Sequence, residues 1–256
     1  MAYKDILVFL DPTAEALERT RLAVSLAKTH GARLIGVDVS APPAGKEEES
    51  EATVTRMFAE ATAQAAPPAV FVPADKPGEG DLFSHCVDLT IAPGPESLAH
   101  DVIRRGVLDR ALLESGVPML ILPPDWTMGP IGDNIVIAWN AGREALRAVH
   151  DAMPLLERAK KVTLFAFSSR PSALRKSAHM LADHLAAHGV TAEHISDWTN
   201  TGDLTAVEAL FASLDTQDAD LIVAGAYGHS RLYEGLFGGV SMDLMHQQSL
   251  PILMSH

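Results

Sequence analysis

Cysteine, aromatic residues and basic side chains are all scarce in this chain of 256 residues. The single cysteine, Cys86, excludes an internal disulfide framework and a four-cysteine zinc site, and it fits a reducing compartment. Lys and Arg total 20 against 33 Asp and Glu, which argues against a protein that coats nucleic acid or an anionic membrane. No uncharged apolar run reaches about 18 residues and no signal-peptide pattern opens the chain, so we expect a cytoplasmic protein without membrane spans.

Two pieces of sequence occur twice. The opening apolar run that ends at Asp11 resembles the run that ends at Asn140, 129 positions later. A later run containing Pro118 resembles the last run of the chain, containing Pro251, 133 positions later. Matches at nearly equal offsets indicate two copies of one unit. We predict a first domain, a proline- and glycine-punctuated linker and a second domain, over residues 1–124, 125–130 and 131–256 respectively.

Short apolar runs alternate with amphipathic stretches, which predicts βαβ units and a parallel sheet with helices on both faces. In the second half the strands are predicted over 134–139, 161–167, 190–196, 220–224 and 250–254, and the helices over 143–158, 172–188, 204–215 and 240–248. The first half shows strands over 6–10 and 33–39 around a helix over 14–30. Two prolines and two glycines within 73–80 predict that its third helix is shortened or lost.

A glycine loop follows the apolar run 221–224, with the spacing Gly-x2-Gly-x9-Gly. Its glycines and the start of the next predicted helix are Gly225, Gly228, Gly238, Gly239, Val240 and Ser241. Glycine lets the backbone approach an anion closely, and the free N–H groups of a helix N-terminus favour phosphate. The loop is neither a P-loop nor the Rossmann fingerprint, and the same pattern also fits a turn and helix start without a ligand.

The glycine loop, the last strand entered through Pro251 and the first strands ending at Asp11 or Asn140 together resemble the universal stress protein family, in its tandem form. The resemblance implies an α/β fold: two five-stranded parallel-sheet domains, Rossmann-like and adenine-nucleotide hydrolase-like, related by a pseudo-two-fold. It implies ATP, with Mg²⁺, as the ligand of the second domain, and a regulatory role in stress response with at most slow hydrolysis. Pairing into a homodimer and contacts with unknown protein partners stay open.

The resemblance also implies a set of nucleotide-binding residues at the strand ends and in the loop: Asn140, Phe165, Ala166, Gly225, Gly228, Gly238, Gly239 and Ser241. The first three would lie beside adenine, and the others beside ribose and the phosphates. The N–H of Val240 at the helix N-terminus and the charge of Arg231 add two phosphate-binding candidates. Two positions depart from the family, which usually has Asp in place of Asn140 and Ser or Thr in place of Gly239. Asparagine keeps hydrogen-bonding ability without the charge, and glycine keeps the N–H without the hydroxyl.

The first half departs further. Counted from the strand-end alanines, Pro93 takes the position of Gly225 and Glu96 that of Gly228. Proline removes a backbone donor, and a glutamate carboxylate repels phosphate. We therefore interpret the first half as a degenerate copy that keeps Asp11 without a phosphate cradle.

Two other function classes remain. A nucleotide-free scaffold or small-molecule carrier that acts through protein partners is favoured by the departures at Asn140 and Gly239. An enzyme of the adenine-nucleotide hydrolase type is disfavoured, because neither first strand is followed by an HIGH-type or SGG-type signature, and we assign no catalytic residue.

Three side chains carry chemistry outside the loop. His184 and His188 stand four apart on a predicted helix, a spacing that can hold a metal. No carboxylate–histidine set completes a site in the sequence, so we interpret them as a solvated helix face and assign no metal. Cys86 directly precedes an apolar strand, which predicts a buried thiol.

Overall fold

The computed structural model describes residues 2–42, 44–63, 65, 69–73, 80–98, 101–166, 171–195, 206–226, 240–246 and 249–256. The chain divides into two compact units, an N-terminal unit spanning Met1–Gly129 and a C-terminal unit spanning Pro130–His256. Each unit is of the α/β class, as predicted.

The N-terminal unit alternates strands and helices. In chain order its elements are β1 (Asp5–Leu10), α1 (Ala14–His30), β2 (Arg33–Asp38), α2 (Glu47–Thr62), β3 (Val70–Val72), a 3-10 helix (Gly80–Cys86), β4 (Leu89–Pro93), a second 3-10 helix (Pro95–Leu98), α3 (Val102–Glu114) and β5 (Met119–Leu122). Neighbouring strands are parallel, in the order β3-β2-β1-β4-β5.

The C-terminal unit repeats this plan. Its elements are β6 (Asn134–Trp139), α4 (Arg143–Asp151), α5 (Met153–Leu156), β7 (Lys161–Ala166), α6 (Pro171–Ala187), β8 (Ala192–Ile195), α7 (Ala206–Gln217), β9 (Leu221–Gly225), α8 (Val240–His246) and β10 (Ile252–Ser255). Its strands are also parallel, in the order β10-β9-β6-β7-β8. Five strands in each unit confirm the predicted fold class.

Matching hydrogen bonds confirm the repeat seen in the sequence. The carbonyl of Pro118 accepts from the N–H of Thr90 at 3.0 Å, and the carbonyl of Pro251 accepts from the N–H of Ile222 at 3.0 Å. Each proline precedes the last strand of its unit, where the missing proline N–H costs no ladder bond. The two repeats are therefore equivalent residue by residue at this edge of each sheet.

One predicted helix is divided. The pattern over 143–158 predicts a continuous helix, but the structure ends α4 at Asp151 and starts α5 at Met153. Pro154 stands in the first turn of α5, and its lack of an N–H prevents the helical bond to the carbonyl of His150. In the N-terminal unit, the described residues between β3 and β4 carry a 3-10 helix where an α-helix would complete the plan.

The cores lie at the central strands, which are covered on both faces. In β1, Ile6 to Leu10 are all fully buried, and β6 is buried from Ile135 onward. Continuous apolar runs rather than alternating ones are expected for parallel strands packed between helices. None of the described helices is both long enough and apolar enough to cross a bilayer.

Candidate functional site

The C-terminal sheet has one place where its strand order reverses. From β6 the chain proceeds outward to β7 and β8, then returns to β9 on the other side of β6. Crossovers on opposite sides of a strand separate the loops at its carboxyl end and leave a crevice, where α/β sheets bind ligands. Asn140 follows β6, Gly225 ends β9, and Ala138 pairs with Ala224 between them. The structure thus brings two of the predicted binding residues to the same crevice.

Asn140 is exposed and begins the turn into α4. Its Oδ1 accepts a hydrogen bond from the N–H of Gly142 at 2.8 Å, while Ala141 between them has a positive φ of 62°. A non-glycine residue with a left-handed backbone costs a small amount of conformational free energy, and such residues are common at functional sites. The turn leaves the side-chain amide of Asn140 at the mouth of the crevice.

Gly225 allows the start of α4 to approach β9 closely. A Cβ on Gly225 would lie 2.5 Å from the amide nitrogen of Ala145 and 2.6 Å from the carbonyl carbon of Glu144. Real Cβ atoms do not approach so closely, and the obstacles are backbone atoms, so any larger residue must displace the first turn of α4. The glycine is therefore required by packing, whether or not a ligand binds here.

Glu144 places a buried carboxylate beside the crevice. The residue is 6% exposed, and its Oε2 lies 3.5 Å from where a Cβ on Gly142 would stand. Burial by itself raises the pKa of Glu144, but the hydrogen bond and charge of Arg143 and the charge of His256 outweigh it, so the pKa lies below its ordinary value. The carboxylate is therefore ionised at neutral pH.

Phe165 and Ala166 end β7, opposite Ala138 and Trp139 of β6. Both are buried, so their side chains belong to the core and only their backbone is placed for a ligand. The indole N–H of Trp139 donates to Oγ of Ser177 at 3.2 Å, and the ring is buried. Trp139 therefore packs at the strand end against α6.

The remaining predicted binding residues are not described or only partly so. Gly228, Arg231, Gly238 and Gly239 lie outside the described residues. Val240 and Ser241 begin α8, and the structure gives their backbone alone. Their assignment to the phosphates stays a prediction from sequence.

The equivalent strand end in the N-terminal unit is filled by charged side chains. Asp11 follows β1 and is 2% exposed; its Oδ2 lies 2.8 Å from Nη2 of Arg19 and 3.3 Å from Nη1 of Arg104. Its Oδ1 accepts from the N–H of Thr13 at 3.1 Å, the same turn that Asn140 makes. Pro93 ends β4 where Gly225 ends β9. The crevice of the N-terminal unit is thus occupied by its own residues.

The two arginines also fix the charge of Asp11. Burial by itself raises the pKa of Asp11, but the charge of Arg19, the hydrogen bond from Thr13 and the charge of Arg104 outweigh it, so the pKa lies below its ordinary value. Arg19 additionally donates from Nε to the carbonyl of Phe9 at 3.1 Å. Sequence reasoning missed this cluster, although an arginine among the mainly apolar buried positions of α1 is a readable signal.

The sequence analysis named His184 and His188 but missed that His150 lies beside them. His150 in the last turn of α4 lies with its Nε2 3.2 Å from Nε2 of His184 in α6, and the ring of His188 contacts that of His184. His150 and His184 are 34 positions apart on different helices, so no spacing rule pairs them. Over the described ranges, no group of three or more His, Cys, Asp or Glu side chains is arranged to hold a metal ion.

The prediction for Cys86 was wrong, because the residue is exposed. It ends the 3-10 helix, and two residues separate it from the first buried position of β4, Leu89. Proximity in sequence to an apolar strand therefore did not bury the thiol.

Comparison with known proteins supports the fold. No protein-family model matches the sequence, and no curated protein is significantly similar to it. Among solved structures, a universal stress protein from Archaeoglobus fulgidus matches with a TM-score of 0.72 and 15% identity, covering 98% of this chain and 95% of that chain. A putative universal stress protein from Pseudomonas aeruginosa matches with a TM-score of 0.64 and 15% identity, covering 99% of this chain and 93% of that one.

A third structure, a functionally unknown protein from Pseudomonas aeruginosa, matches with a TM-score of 0.63 and 16% identity, covering 99% of this chain and 92% of that one. Identities this low establish the architecture and leave the ligand to be argued from the site. Two units of the same topology and matches along nearly the whole length lead to one conclusion: the chain has the fold of the tandem universal stress proteins.

Proposed function

We propose that the chain is a regulatory adenine-nucleotide-binding protein of stress response, which holds ATP with Mg²⁺ in its C-terminal unit and hydrolyses it slowly at most. The observation that carries the proposal is the contrast between two equivalent strand ends. Asn140 is exposed at the crevice of the C-terminal unit, whereas Asp11 is buried beneath Arg19 and Arg104 in the N-terminal unit.

The side chain of Asn140 suits adenine. An asparagine amide offers a donor and an acceptor side by side, the pair that matches the N6 amino group and N7 of adenine. Its Oδ1 already accepts from Gly142, but a carbonyl oxygen has a second lone pair. The loss of negative charge relative to aspartate thus leaves adenine recognition possible.

The phosphate end of the proposed site follows from sequence. The glycine loop starts at Gly225, directly at the crevice, and runs to the start of α8. We assign the phosphates to the backbone N–H groups of Gly228, Gly238, Gly239 and Val240, to the hydroxyl of Ser241 and to Arg231.

Calorimetric titration with ATP and Mg²⁺ tests the proposal, and we expect saturation at one nucleotide per chain. Photolabelling with 8-azido-ATP, competed by ATP, is expected to mark peptides around Asn140 and the end of β7, and not the equivalent peptides around Asp11. Gly225→Val is expected to abolish binding, in part by displacing the start of α4. Asn140→Leu removes the side-chain amide at an exposed position and, with it, the hydrogen bond from Gly142; Asn140→Asp keeps that acceptor and changes only the amide group. No binding at millimolar ATP, or labelling confined to the N-terminal unit, contradicts the proposal.

One observation favours a second function, a nucleotide-free scaffold or small-molecule carrier. The ionised carboxylate of Glu144 lies beside the crevice and repels an anionic ligand. The two functions differ in two results: a scaffold is purified without nucleotide, and it recovers the same partners whether or not ATP is added.

A further inference from the structure

Two helices of the C-terminal unit meet through a pair of imidazoles. His150 is the second-last residue of α4, and His184 stands one turn before the end of α6. Their Nε2 atoms are 3.2 Å apart, and their ring centroids are 5.3 Å apart with an angle of 54° between the rings. His150 is exposed and His184 half-buried, so solvent reaches the pair.

The separation of the two nitrogens fits a shared metal ion. Zn²⁺ binds imidazole nitrogen at about 2.0–2.1 Å with tetrahedral angles, which places two such nitrogens about 3.3 Å apart. We propose that His150 and His184 bind one divalent transition-metal ion of the Zn²⁺ class through their Nε2 atoms, with water completing the coordination shell. The metal would replace the hydrogen bond between the rings and join α4 to α6.

Of the three charged residues that flank the two histidines on α4 and α6, two are acidic. Arg147, on the turn of α4 before His150, has its Nε 3.2 Å from a carboxylate oxygen of Asp151. Asp183, next to His184, is exposed and adds negative charge. The proposed site is separate from the nucleotide crevice, because α4 begins at the crevice and nine residues of helix span about 13 Å before its other end.

A rival arrangement lies at the end of α6, where His184 is in the helix and His188 directly follows its last residue, Ala187. His188 follows His184 by four positions, and the two rings meet edge-on with centroids 4.8 Å apart. Such a pair can chelate a metal on a single helix, without His150. The contribution of His150 therefore decides between a site that bridges two helices and one that does not.

The test is Zn²⁺ titration of the full chain, free of affinity tag and carrying Cys86→Ser to remove the exposed thiol. We expect one Zn²⁺ per chain and a rise in Tm of about 3–6 °C at saturating metal, since a ligand of the native state stabilises it. His150→Ala and His184→Ala are each expected to weaken binding about tenfold or more and to remove the rise in Tm.

His85→Ala is the matched control, because His85 is exposed in the other unit. It is expected to change neither affinity nor the Tm rise. Circular dichroism confirms that each variant folds, and His150→Gln provides a second, smaller change at the same position. Unchanged Zn²⁺ affinity in folded His150 variants, or absence of stoichiometric binding in the parent chain, overturns the proposal.

Discussion

Arg19 and Asp11 form a buried ion pair at the end of β1, and the C-terminal unit has neither charged partner at the equivalent positions. The pair is 2.8 Å long, with both side chains 2% exposed. The equivalent positions, 129 residues later, hold Ala148, which is fully buried, and Asn140, which is exposed. A buried arginine requires a buried anion, so removing the arginine frees the strand end from that charge. An uncharged residue at this strand end thus accompanies the absence of the arginine.

This relationship predicts strong coupling between Asp11 and Arg19. Asp11→Asn alone leaves Arg19 as an uncompensated buried charge, at an expected cost of about 3–5 kcal/mol in unfolding free energy. Arg19→Ala is expected to cost less, because Arg104 still lies 3.3 Å from Asp11. The double variant, which copies the C-terminal unit, is expected to cost less than the sum by about 1–3 kcal/mol. Hydrogen exchange of amides in β1 and α1 measures the local free energy. Strictly additive effects would contradict the pairing.

Asp38 predicts a pH dependence of the opposite sign to that of Asp11. Burial raises the pKa of Asp38, with the negative charges of Asp11 and Glu51 acting in the same direction against its hydrogen bonds from Ser40. A carboxyl whose folded pKa exceeds its unfolded value of about 3.9 destabilises the native state as pH rises through the folded pKa. Each unit of difference costs about 1.4 kcal/mol at neutral pH.

Asp38→Asn is therefore expected to stabilise the N-terminal unit at pH 7, because Oδ1 can still accept from the N–H of Ser40, now 2.8 Å away. The gain should shrink as the pH falls from the raised folded pKa toward the unfolded value of about 3.9, and it should vanish below that value. Urea unfolding at a series of pH values measures the difference. For Asp11, whose pKa is lowered, stability is instead lost as pH falls below about 4. A pH-independent gain at Asp38 would show that charge is not its cause.

Replacement by alanine is predicted to change the free energy of unfolding in opposite directions at Gly106 and at Gly225. Gly106 lies inside α3, and a Cβ there would meet only ordinary contact, 3.4 Å from Nη1 of Arg110. Gly106→Ala is expected to stabilise by about 0.5–1 kcal/mol, while Gly225→Ala costs about 1–3 kcal/mol and weakens ATP binding. Thermal unfolding and ATP titration of both variants check this. Loss of ATP binding in Gly106→Ala would instead place the nucleotide in the N-terminal unit.

The sequence alone predicts most of the fold, because buried parallel strands have continuous apolar sequences that lie between segments with helical periodicity. The strand over 134–139 and the helix over 14–30 are predicted with their observed bounds. The helix over 143–158 is predicted as continuous because its hydrophobic period continues past Pro154. Proline interrupts helices, and here it outweighs the period.

The charged groups at the site could not be predicted so well. Arg104 reaches Asp11 from 93 positions away, and His150 meets His184 across two helices. Such contacts depend on how elements pack, and residue spacing within one element carries no information about them. Glu144 was missed for another reason: its counterpart Glu15 is exposed on the first turn of α1, and only Gly225 brings the start of α4 close to β9.

A substitution at Glu144 tests whether its negative charge, rather than a direct contact, affects nucleotide affinity at the crevice. Its carboxylate is ionised and lies near the side chain of Asn140, since both approach the point where a Cβ on Gly142 would stand. Glu144→Gln keeps the shape and removes the charge. We expect the affinity for ATP to rise about threefold to tenfold, for AMP less, and for neutral adenosine not at all, because repulsion grows with ligand charge.

Calorimetric titration of the three ligands at two salt concentrations measures this, and the gain should shrink at higher ionic strength. Arg147→Gln is a matched control, since it removes a charge on the same helix that is paired with Asp151. An equal loss of affinity for all three ligands would mean that Glu144 accepts a hydrogen bond from ribose. The nucleotide would then still bind in the crevice, and Glu144 would contribute to nucleotide binding instead of opposing it.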